Sequence, residues 1–334
     1  MKRWTNLALF VLLGLAFTTG WLAFFYAAAP SRASLIVHAV SGYAIIALTP
    51  WKAVIATHGV KRRTRGWWAS LLLTVLVIAS MVAGILHSTG LLLAVGPITA
   101  MEMHVGAALA ALPLAMWHVI ARRLHVRAVD VSRRSFLRAA SLLAGAGAFY
   151  GAGEMVVRLA RLPGADRRLT GSYEVGSFAA ALLPVTQWMF DSVPRVDVDR
   201  WRLELRSPSG SRFLTYEQLV AFDDRLEATL DCTGGFYSTQ EWSGAWLSRL
   251  TPRTPGPLSI HVSSATGYDR RFSIDEADRL LLATRIGGET LDPGHGYPVR
   301  LVAPDHRGYW WVKWVTSIRF DQAPAWWQLP FPLQ

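Results

Sequence analysis

The chain has 334 residues, 52% of them hydrophobic, and a formal net charge of +11 at pH 7. Its single cysteine, Cys232, excludes internal disulfides, a CxxCH haem-attachment motif and metal sites that need several cysteines. The charge does not indicate nucleic-acid binding, because much of the excess flanks apolar segments, where Lys and Arg orient membrane helices. Apolar residues dominate the first half and charged residues the second, which predicts a membrane domain followed by a globular domain.

The first half contains five apolar segments, and each is predicted to form a helix that spans a membrane. They lie at about 7–28, 34–57, 67–87, 103–120 and 136–156. Basic residues cluster after the second and fourth segments, whereas the other two connections hold Arg32 and Glu102. Because basic loops stay in the cytoplasm, we predict an all-α transmembrane bundle of five spans, with the N-terminus inside and the C-terminal domain outside.

The second and fourth segments share a histidine pattern. His38 and His104 lie near the predicted outer ends, and fourteen residues later each is followed by Lys52 or His118, directly after a tryptophan. Fourteen residues are nearly four helical turns, so both positions share a face and lie ~21 Å apart. The pattern resembles the four-helix membrane b-type cytochromes. That resemblance implies that His38 and His104 ligate the iron of an outer haem b, and that Gly42 and Gly106 leave room for the macrocycle.

A second, inner haem is less clearly indicated. Lys52 stands where a partner for His118 is expected, and His58 reaches His118 only if the helix bends at Pro50. His87, at the outer end of the third segment, is a spare iron ligand or a residue of a quinone site. The alternative for all these histidines is hydrogen bonding within the bundle. We therefore predict one haem and leave the second open.

The fifth segment begins with SRRSFLRAASLLAGAGAFYGAG, residues 132–153. Arg133 and Arg134, followed by Phe136–Leu137 and a mild apolar run, are typical of a bacterial twin-arginine export signal, which is read by the translocase for folded proteins. The plainer interpretation is a fifth span with basic residues on its cytoplasmic side, and the segment can serve both purposes. The chain is therefore predicted to reside in a bacterial plasma membrane with its C-terminal domain on the extracytoplasmic side.

After a linker at 159–183 the sequence becomes rich in strands. Runs such as WRLELRS, LSIHVSSA and WVKWVTSIRF place β-branched and aromatic residues between turn formers. Helical segments are expected at 215–222, 243–250 and 275–283. These elements predict an α+β domain of about 165 residues.

Cys232 lies in LDCTGGFYSTQEWSGAWLSRL, where Gly234 and Gly235 permit a tight turn. A lone thiolate is a soft metal ligand, so a metal bound here must bring further ligands of its own. Cys-x-Gly-Gly followed by Trp-Ser-Gly, with PVTQW, GYDRRFSIDEA and HGYPVRLVAPDHRGYWWVKWVTSI, resembles the molybdopterin-binding domain of the sulfite oxidase family. The resemblance covers about residues 170–325.

The resemblance implies that Cys232 ligates molybdenum and that His295, Arg300 and Lys313 hold the phosphate end of the pterin. Further residues implied to line the cofactor are Thr186, Gly267, Tyr268, Arg271 and Ser273. Sulfite-oxidising members place arginines close to the cysteine, whereas the loop at 233–242 carries Tyr237 and Gln240 instead. Tyr237 is therefore a candidate catalytic residue for a neutral substrate.

The implied organisation joins a membrane cytochrome to a molybdoenzyme. The expected segments are a four-helix cytochrome b-like domain at 1–125, the twin-arginine motif and fifth helix at 126–158, the linker at 159–183, a molybdopterin-binding oxidoreductase domain at 184–325 and a tail at 326–334. The expected cofactors are molybdenum–molybdopterin and haem b, and the expected redox partner is the quinone pool or another respiratory carrier.

The leading functional hypothesis is oxygen-atom transfer that reduces a small S-oxide or N-oxide. The alternative is a dehydrogenase of sulfite or an organosulfur compound that delivers electrons to quinone. A third reading is a non-enzymatic membrane anchor with a degenerate cofactor site. The presence of Cys232, His295 and Arg300 argues against the third reading.

Overall fold

The computed structural model describes residues 2–28, 30–61, 66–121, 127, 130, 132–188, 191–251, 256–329 and 332. The chain divides into two compact units, Met1–Tyr173 and Glu174–Gln334. The division lies inside the predicted linker at 159–183. Each unit is described below by itself.

The first unit is built from five long helices, as the apolar segments predict. The helices are α1 (Lys2–Phe25), α2 (Pro30–Lys61), α3 (Trp67–Thr89), α4 (Ala100–Ala121) and α5 (Arg133–Leu159). All five are long and apolar enough to cross a membrane. Many of their large apolar side chains face outward, including Val11, Leu72 and Ile120, and such a surface suits lipid better than water.

Helix pairs form the core of this unit. α1 packs against α2, α3 against α4, and α5 against α2. Two short strands, β1 (Ala94–Val95) and β2 (Ile98–Thr99), form a hairpin between α3 and α4. After α5, Arg167 donates to the Ser88 carbonyl at 2.8 Å and forms an ion pair with Glu154. The first part of the predicted linker is therefore packed on the ends of α3 and α5.

The second unit is a two-sheet α+β domain, which agrees with the predicted fold class. A short strand, β3 (Tyr173–Glu174), lies at the division, and α6 (Tyr216–Val220) is a single short helix. The other strands are β4 (Leu203–Ser207), β5 (Gly210–Leu214), β6 (Asp224–Asp231), β7 (Phe236–Trp246), β8 (Ser259–Ser264), β9 (Asp269–Ser273), β10 (Leu281–Ile286), β11 (Glu289–Thr290), β12 (Arg300–Val302) and β13 (Val315–Asp321).

The two sheets pack their apolar faces into one core. In the first sheet β7 lies between β6 and β10, and β10 also pairs with β11 and β12, all antiparallel. The second sheet has the order β5-β4-β13-β8-β9, in which only β4 and β13 run parallel. Trp242 is fully buried in the core and donates its indole N–H to the Ala228 carbonyl at 3.2 Å.

Two predicted helices are wrong. β7 continues through residue 246, so the first half of 243–250 is strand, and β10 begins at Leu281 inside the predicted helix at 275–283. The reason is visible at Gly244, where an added Cβ would lie 2.0 Å from the Leu282 carbonyl oxygen. Glycine allows β7 and β10 to approach closely, and sheet pairing outweighs the local helical pattern.

Candidate active site

Cys232 lies in the turn that joins β6 to β7. Its N–H donates to the Phe236 carbonyl at 2.8 Å, and the Gly235 N–H donates to the Cys232 carbonyl at 3.2 Å. Gly235 has a φ of 97°, a conformation that favours glycine. The Thr-Gly-Gly sequence thus closes a tight turn in which both the N–H and the carbonyl of Cys232 are hydrogen-bonded.

The Cys232 sulfur has two neutral polar neighbours. The Gly234 N–H donates to Sγ at 3.4 Å, and Thr186 Oγ1 lies 3.9 Å from it. Burial raises the pKa of the Cys232 thiol, while the Gly234 N–H and the Thr186 hydroxyl act in the opposite direction. In the described part of the chain no group of three His, Cys, Asp or Glu side chains could hold a metal, so a metal on Cys232 has to bring other ligands.

An arginine contacts the backbone of Cys232 from a distant part of the chain. Arg307 Nη2 donates to the Cys232 carbonyl at 3.0 Å, and Nη1 lies 3.5 Å from Asp231 Oδ1. Sequence reasoning placed no arginine near the cysteine because it considered only the loop at 233–242. Gly308, which belongs to the family motif, lies directly against Cys232, and a Cβ there would be 3.2 Å from the Cys232 Cα.

Arg300 is a buried cation between two aromatic side chains. Its guanidinium carbon lies 5.2 Å from the Trp242 ring centroid and 5.6 Å from that of Trp311. Nη1 donates to the His295 carbonyl at 3.1 Å, and the buried Nε has no partner among the described residues. Burial lowers the pKa of Arg300 to about 10, which leaves the side chain charged at neutral pH.

Lys313 lies close to Arg300 and is held by carbonyl groups. Its Nζ donates to the Thr186 carbonyl at 2.7 Å and to the Gly294 carbonyl at 2.6 Å. Gly296 separates the two basic residues, since a Cβ on it would lie 3.1 Å from Arg300 Cβ and 3.3 Å from Lys313 Cβ. Burial, with the charge of Arg300 as a second cause, lowers the pKa of Lys313 to about 7.

These two cations fit the anionic end of a pterin cofactor. In the ranges that the structure describes, neither Arg300 nor Lys313 forms an ion pair with a carboxylate. A buried cation without an acid is unfavourable, and the unpartnered Arg300 Nε is a donor that an anion can satisfy. The donor set beside Cys232 is therefore suited to a ligand that carries both soft sulfur donors and a phosphate.

His295 is buried beside the same two cations. Its Nε2 lies 3.0 Å from the Leu183 carbonyl oxygen, and its Nδ1 is hydrogen-bonded to the Asp292 carboxylate. Both ring nitrogens therefore already face protein acceptors. The structure places His295 where the sequence predicts, next to Arg300 and Lys313, and its ring ties the 293–296 turn to residue 183.

The other predicted cofactor residues lie on β7, β8 and β9 or in their turns. Tyr237 is half-buried and lies opposite Asp231 in the β6–β7 register. Gly267 forms the β8–β9 turn, and the Tyr268 hydroxyl donates to the Tyr309 carbonyl, next to Gly308. These contacts link the β8–β9 turn to the segment that packs on the cysteine.

Arg271 and Ser273 are used within their own sheet. Arg271 donates to Ser259 Oγ at 2.7 Å and forms an ion pair with Asp321. Ser273 caps the short turn at Ile274–Glu276. Within the described residues, no hydrogen bond or ion pair connects either side chain to Cys232 or Arg300.

Comparison with known proteins identifies the chemistry of this region. Residues 190–327 match the family described as the oxidoreductase molybdopterin binding domain. The second unit thus carries a region that matches a molybdopterin-binding oxidoreductase domain. The match contains the Cys232 turn and the Arg300–Lys313 pair, so the cations and the cysteine described above belong to the molybdopterin domain.

Several relatives are similar over the molybdopterin domain. Nitrate reductase (NADH), clone PBNBR1412, of Brassica napus is 27% identical over 38% of this chain and 18% of that protein. Mitochondrial sulfite oxidase of Homo sapiens is 27% identical over 41% of this chain and 32% of that protein. The chain thus spans about a fifth to a third of the length of these relatives. The crystal structure of the sulfane dehydrogenase SoxCD from Paracoccus pantotrophus matches 40% of this chain and 41% of that chain, with 25% identity and a TM-score of 0.38.

The first unit brings His38 and His104 together. The ring centroids are 5.6 Å apart and the ring planes cross at 89°. His38 Nδ1 lies 2.7 Å from the Ala16 carbonyl oxygen, and His104 Nδ1 lies 2.7 Å from the Ser80 carbonyl oxygen. A backbone carbonyl can only accept, so each Nδ1 is the donor and each Nε2 is left as the basic nitrogen.

In this arrangement both histidines could contribute a ring nitrogen to one metal ion. Metal-binding histidines usually donate their other ring N–H to a carbonyl or carboxylate, as both do here. Metal–imidazole bonds of about 2 Å on both sides would separate the ring centroids by roughly 6 Å, close to the observed distance. An added Cβ at Gly42 or Gly106 would meet no atom within 4 Å.

In the described part of the first unit, His118 and His87 contact other polar groups. His118 Nδ1 lies 3.2 Å from Ser70 Oγ, and Lys52 donates to Asn6 Oδ1 at 2.9 Å. His87 Nε2 lies 2.9 Å from the Gly171 carbonyl oxygen, and the His87 ring packs edge-on against the Tyr173 ring. His87 therefore contacts the predicted linker. The side chain of His58 lies outside the described residues.

Proposed function

We propose that this protein is a membrane-anchored molybdoenzyme that exchanges electrons between the quinone pool and an extracytoplasmic substrate. In this proposal Cys232 is the protein ligand to molybdenum, and Arg300 and Lys313 bind the phosphate of the pterin. His295 holds the turn that carries these groups. When bound, the molybdenum–molybdopterin cofactor supplies two-electron oxygen-atom transfer.

The proposed reaction is the reduction of an S-oxide or N-oxide. For a sulfoxide the balanced half-reaction is R₂SO + 2H⁺ + 2e⁻ → R₂S + H₂O. The observation that supports this choice is that the hydrogen-bonding neighbours of the Cys232 sulfur, the Thr186 hydroxyl and the Gly234 N–H, are neutral. The nearby Arg307 is engaged with Asp231 and with a carbonyl, so its positive charge is not directed at a substrate.

The first unit is proposed to carry electrons through one haem b held by His38 and His104. Support comes from the ring geometry and from the carbonyl acceptors that orient both imidazoles. The proposed orientation has the N-terminus in the cytoplasm and the molybdopterin domain outside, delivered by the twin-arginine translocase through Arg133 and Arg134. Both arginines are exposed at the start of α5, where Ser132 caps the helix.

The alternative function is oxidation of sulfite or an organosulfur compound, with electrons passing to quinone. The observation that favours it is the similarity to mitochondrial sulfite oxidase across the molybdopterin domain. Assays of the purified full-length protein distinguish the two functions. If the protein reduces S-oxides, it should oxidise a reduced viologen dye only when a sulfoxide is present. If it oxidises sulfite, it should instead reduce ferricyanide only when sulfite is present.

Cofactor content tests the assignment of the two sites. We expect the purified protein to contain molybdenum and to give a b-type haem signal in the dithionite-reduced minus oxidised spectrum. His104→Ala should remove the haem signal and leave the molybdenum content unchanged, because the two sites use different residues. An unchanged haem signal in His104→Ala would refute the ligand assignment, and wild-type protein without molybdenum would refute the molybdoenzyme.

A further inference from the structure

Arg307 and Asp231 form a buried ion pair against the backbone of Cys232. Arg307 is 3% exposed and Asp231 is 0% exposed. A buried pair of this kind adds little stability compared with apolar residues of the same volume, because both charges lose their hydration. Fold stability alone therefore does not account for the position of this pair beside the candidate metal ligand.

The Arg307 guanidinium spans the peptide that joins Asp231 to Cys232. One terminal nitrogen donates to the Cys232 carbonyl, and the other faces the Asp231 carboxylate. The backbone of residue 307 also bridges that of residue 231, which fixes the base of the side chain. Because the Cys232 N–H is already bonded to the Phe236 carbonyl, both backbone groups of the cysteine are held, and mainly the side-chain torsion is left to place the sulfur.

The pair also places charge close to the sulfur. In a buried setting the effective dielectric constant is low, so a full positive charge acts strongly on a thiolate. The positive charge of Arg307 attracts negative charge on the sulfur, and the negative charge of Asp231 repels it. The two side chains therefore act on the sulfur with opposite signs from neighbouring positions.

We propose that Arg307, oriented by Asp231, is a positioning residue that fixes the Cys232 backbone and adjusts the electron affinity of the metal centre through the thiolate. The inference rests on the proposed ligation of molybdenum by Cys232. Arg307 acts through the cysteine and not on the substrate, because its terminal nitrogens are engaged by a carbonyl and a carboxylate.

The test is a redox titration of the molybdenum centre in full-length protein, followed by the paramagnetic resonance signal of its one-electron intermediate state. Arg307→Met removes a positive charge and should shift the midpoint potential to lower values. Asp231→Asn removes a negative charge and should shift it to higher values. The double variant should lie between the two, and Arg307→Lys, which keeps the charge, should stay nearest to wild type.

Arg270→Met is the matched control, because Arg270 is equally buried, lies over Tyr309 and Trp310, and does not contact Cys232 in the described structure. It should leave the potential unchanged. Equal potentials in Arg307→Met, Asp231→Asn and wild type, with molybdenum present, would overturn the inference and leave the molybdoenzyme intact. If Arg307→Met fails to fold, Asp231→Asn still decides the question, because it should raise the midpoint potential while Arg307→Lys stays near the wild-type value.

Discussion

Lys313 is the residue whose charge depends most on its surroundings in the molybdopterin domain. Carbonyl oxygens of Thr186 and Gly294 accept from its Nζ, and no carboxylate among the described residues pairs with it. Burial lowers its pKa to about 7, so the side chain loses its proton near neutral pH when no anion is bound. A bound phosphate next to Nζ would raise that pKa again.

This difference in pKa predicts that cofactor binding depends on pH. Between the pKa of Lys313 in the cofactor-free protein and its higher pKa in the cofactor-bound protein, cofactor binding takes up a proton. The affinity for the cofactor should therefore fall by up to about tenfold per pH unit as pH rises. The measurement is molybdenum occupancy after reconstitution of cofactor-free protein at pH values from about 6 to about 9. Lys313→Arg keeps its charge throughout and should give a flatter profile; parallel profiles for the two proteins would contradict the assignment.

At the scale of elements, the histidine pair is carried by α2 and α4, and each of these helices meets a glycine of a neighbouring helix, α1 or α3. Gly20 of α1 lies against His38, and Gly84 of α3 lies against His104. An added Cβ at residue 84 would be 2.9 Å from His104 Nδ1, the atom that bonds to the Ser80 carbonyl. The neighbouring helix therefore positions each imidazole in two ways. Its backbone carbonyl accepts a hydrogen bond from the ring, and its glycine leaves room for the ring.

Gly84→Ala should therefore lower the haem content of the purified protein several-fold, because the methyl group displaces the His104 ring. Gly14→Ala is the matched control, since a Cβ at residue 14 meets no atom within 4 Å and the substitution lies in α1, in the same bundle. The readout is haem per protein from the pyridine haemochrome spectrum, with molybdenum content as an internal reference. Equal haem content in the two variants would show that residue 84 does not support the iron ligand.

At the scale of the whole molecule, the proposed export route explains why a twin-arginine motif lies at the start of α5. In this proposal the bulky cofactor enters its domain in the cytoplasm, and the domain that holds it crosses the membrane folded. The segment before Arg133 and Arg134 carries four of the helices that can span a membrane, and the residues after α5 lead into the molybdopterin domain. The motif thus lies at the start of the last helix of the first unit, before the chain enters the second unit.

The combined change Arg133→Lys and Arg134→Lys should leave the molybdopterin domain on the cytoplasmic side, shielded from protease added to spheroplasts. The expected reason is that the translocase for folded proteins distinguishes the arginine pair from lysines. Arg138→Lys, one turn further along the same helix, controls for loss of basic charge and should export normally. Full protease sensitivity of the double variant would remove the twin-arginine interpretation.

Local sequence patterns predicted the elements and part of the site. The apolar segments predicted five helices, and strand patterns predicted much of the second unit, because hydrophobic period and turn residues act locally. The helix prediction at 243–250 was wrong because Gly244 allows the close approach of a neighbouring strand, β10, and this contact is not local in the sequence. Arg307 was missed for a related reason: it reaches Cys232 across 75 residues, and no local pattern records that contact.

The unpaired cations of the molybdopterin domain have a consequence for protein turnover. Without an anion, Lys313 either repels Arg300 in a buried region or gives up its proton, so the chain without its anionic cofactor is the less stable form. A ligand that binds only the folded domain adds stability by mass action, and its absence raises the fraction of chains open to proteases. The cellular level of this protein should therefore follow molybdenum supply, even when its synthesis is constant.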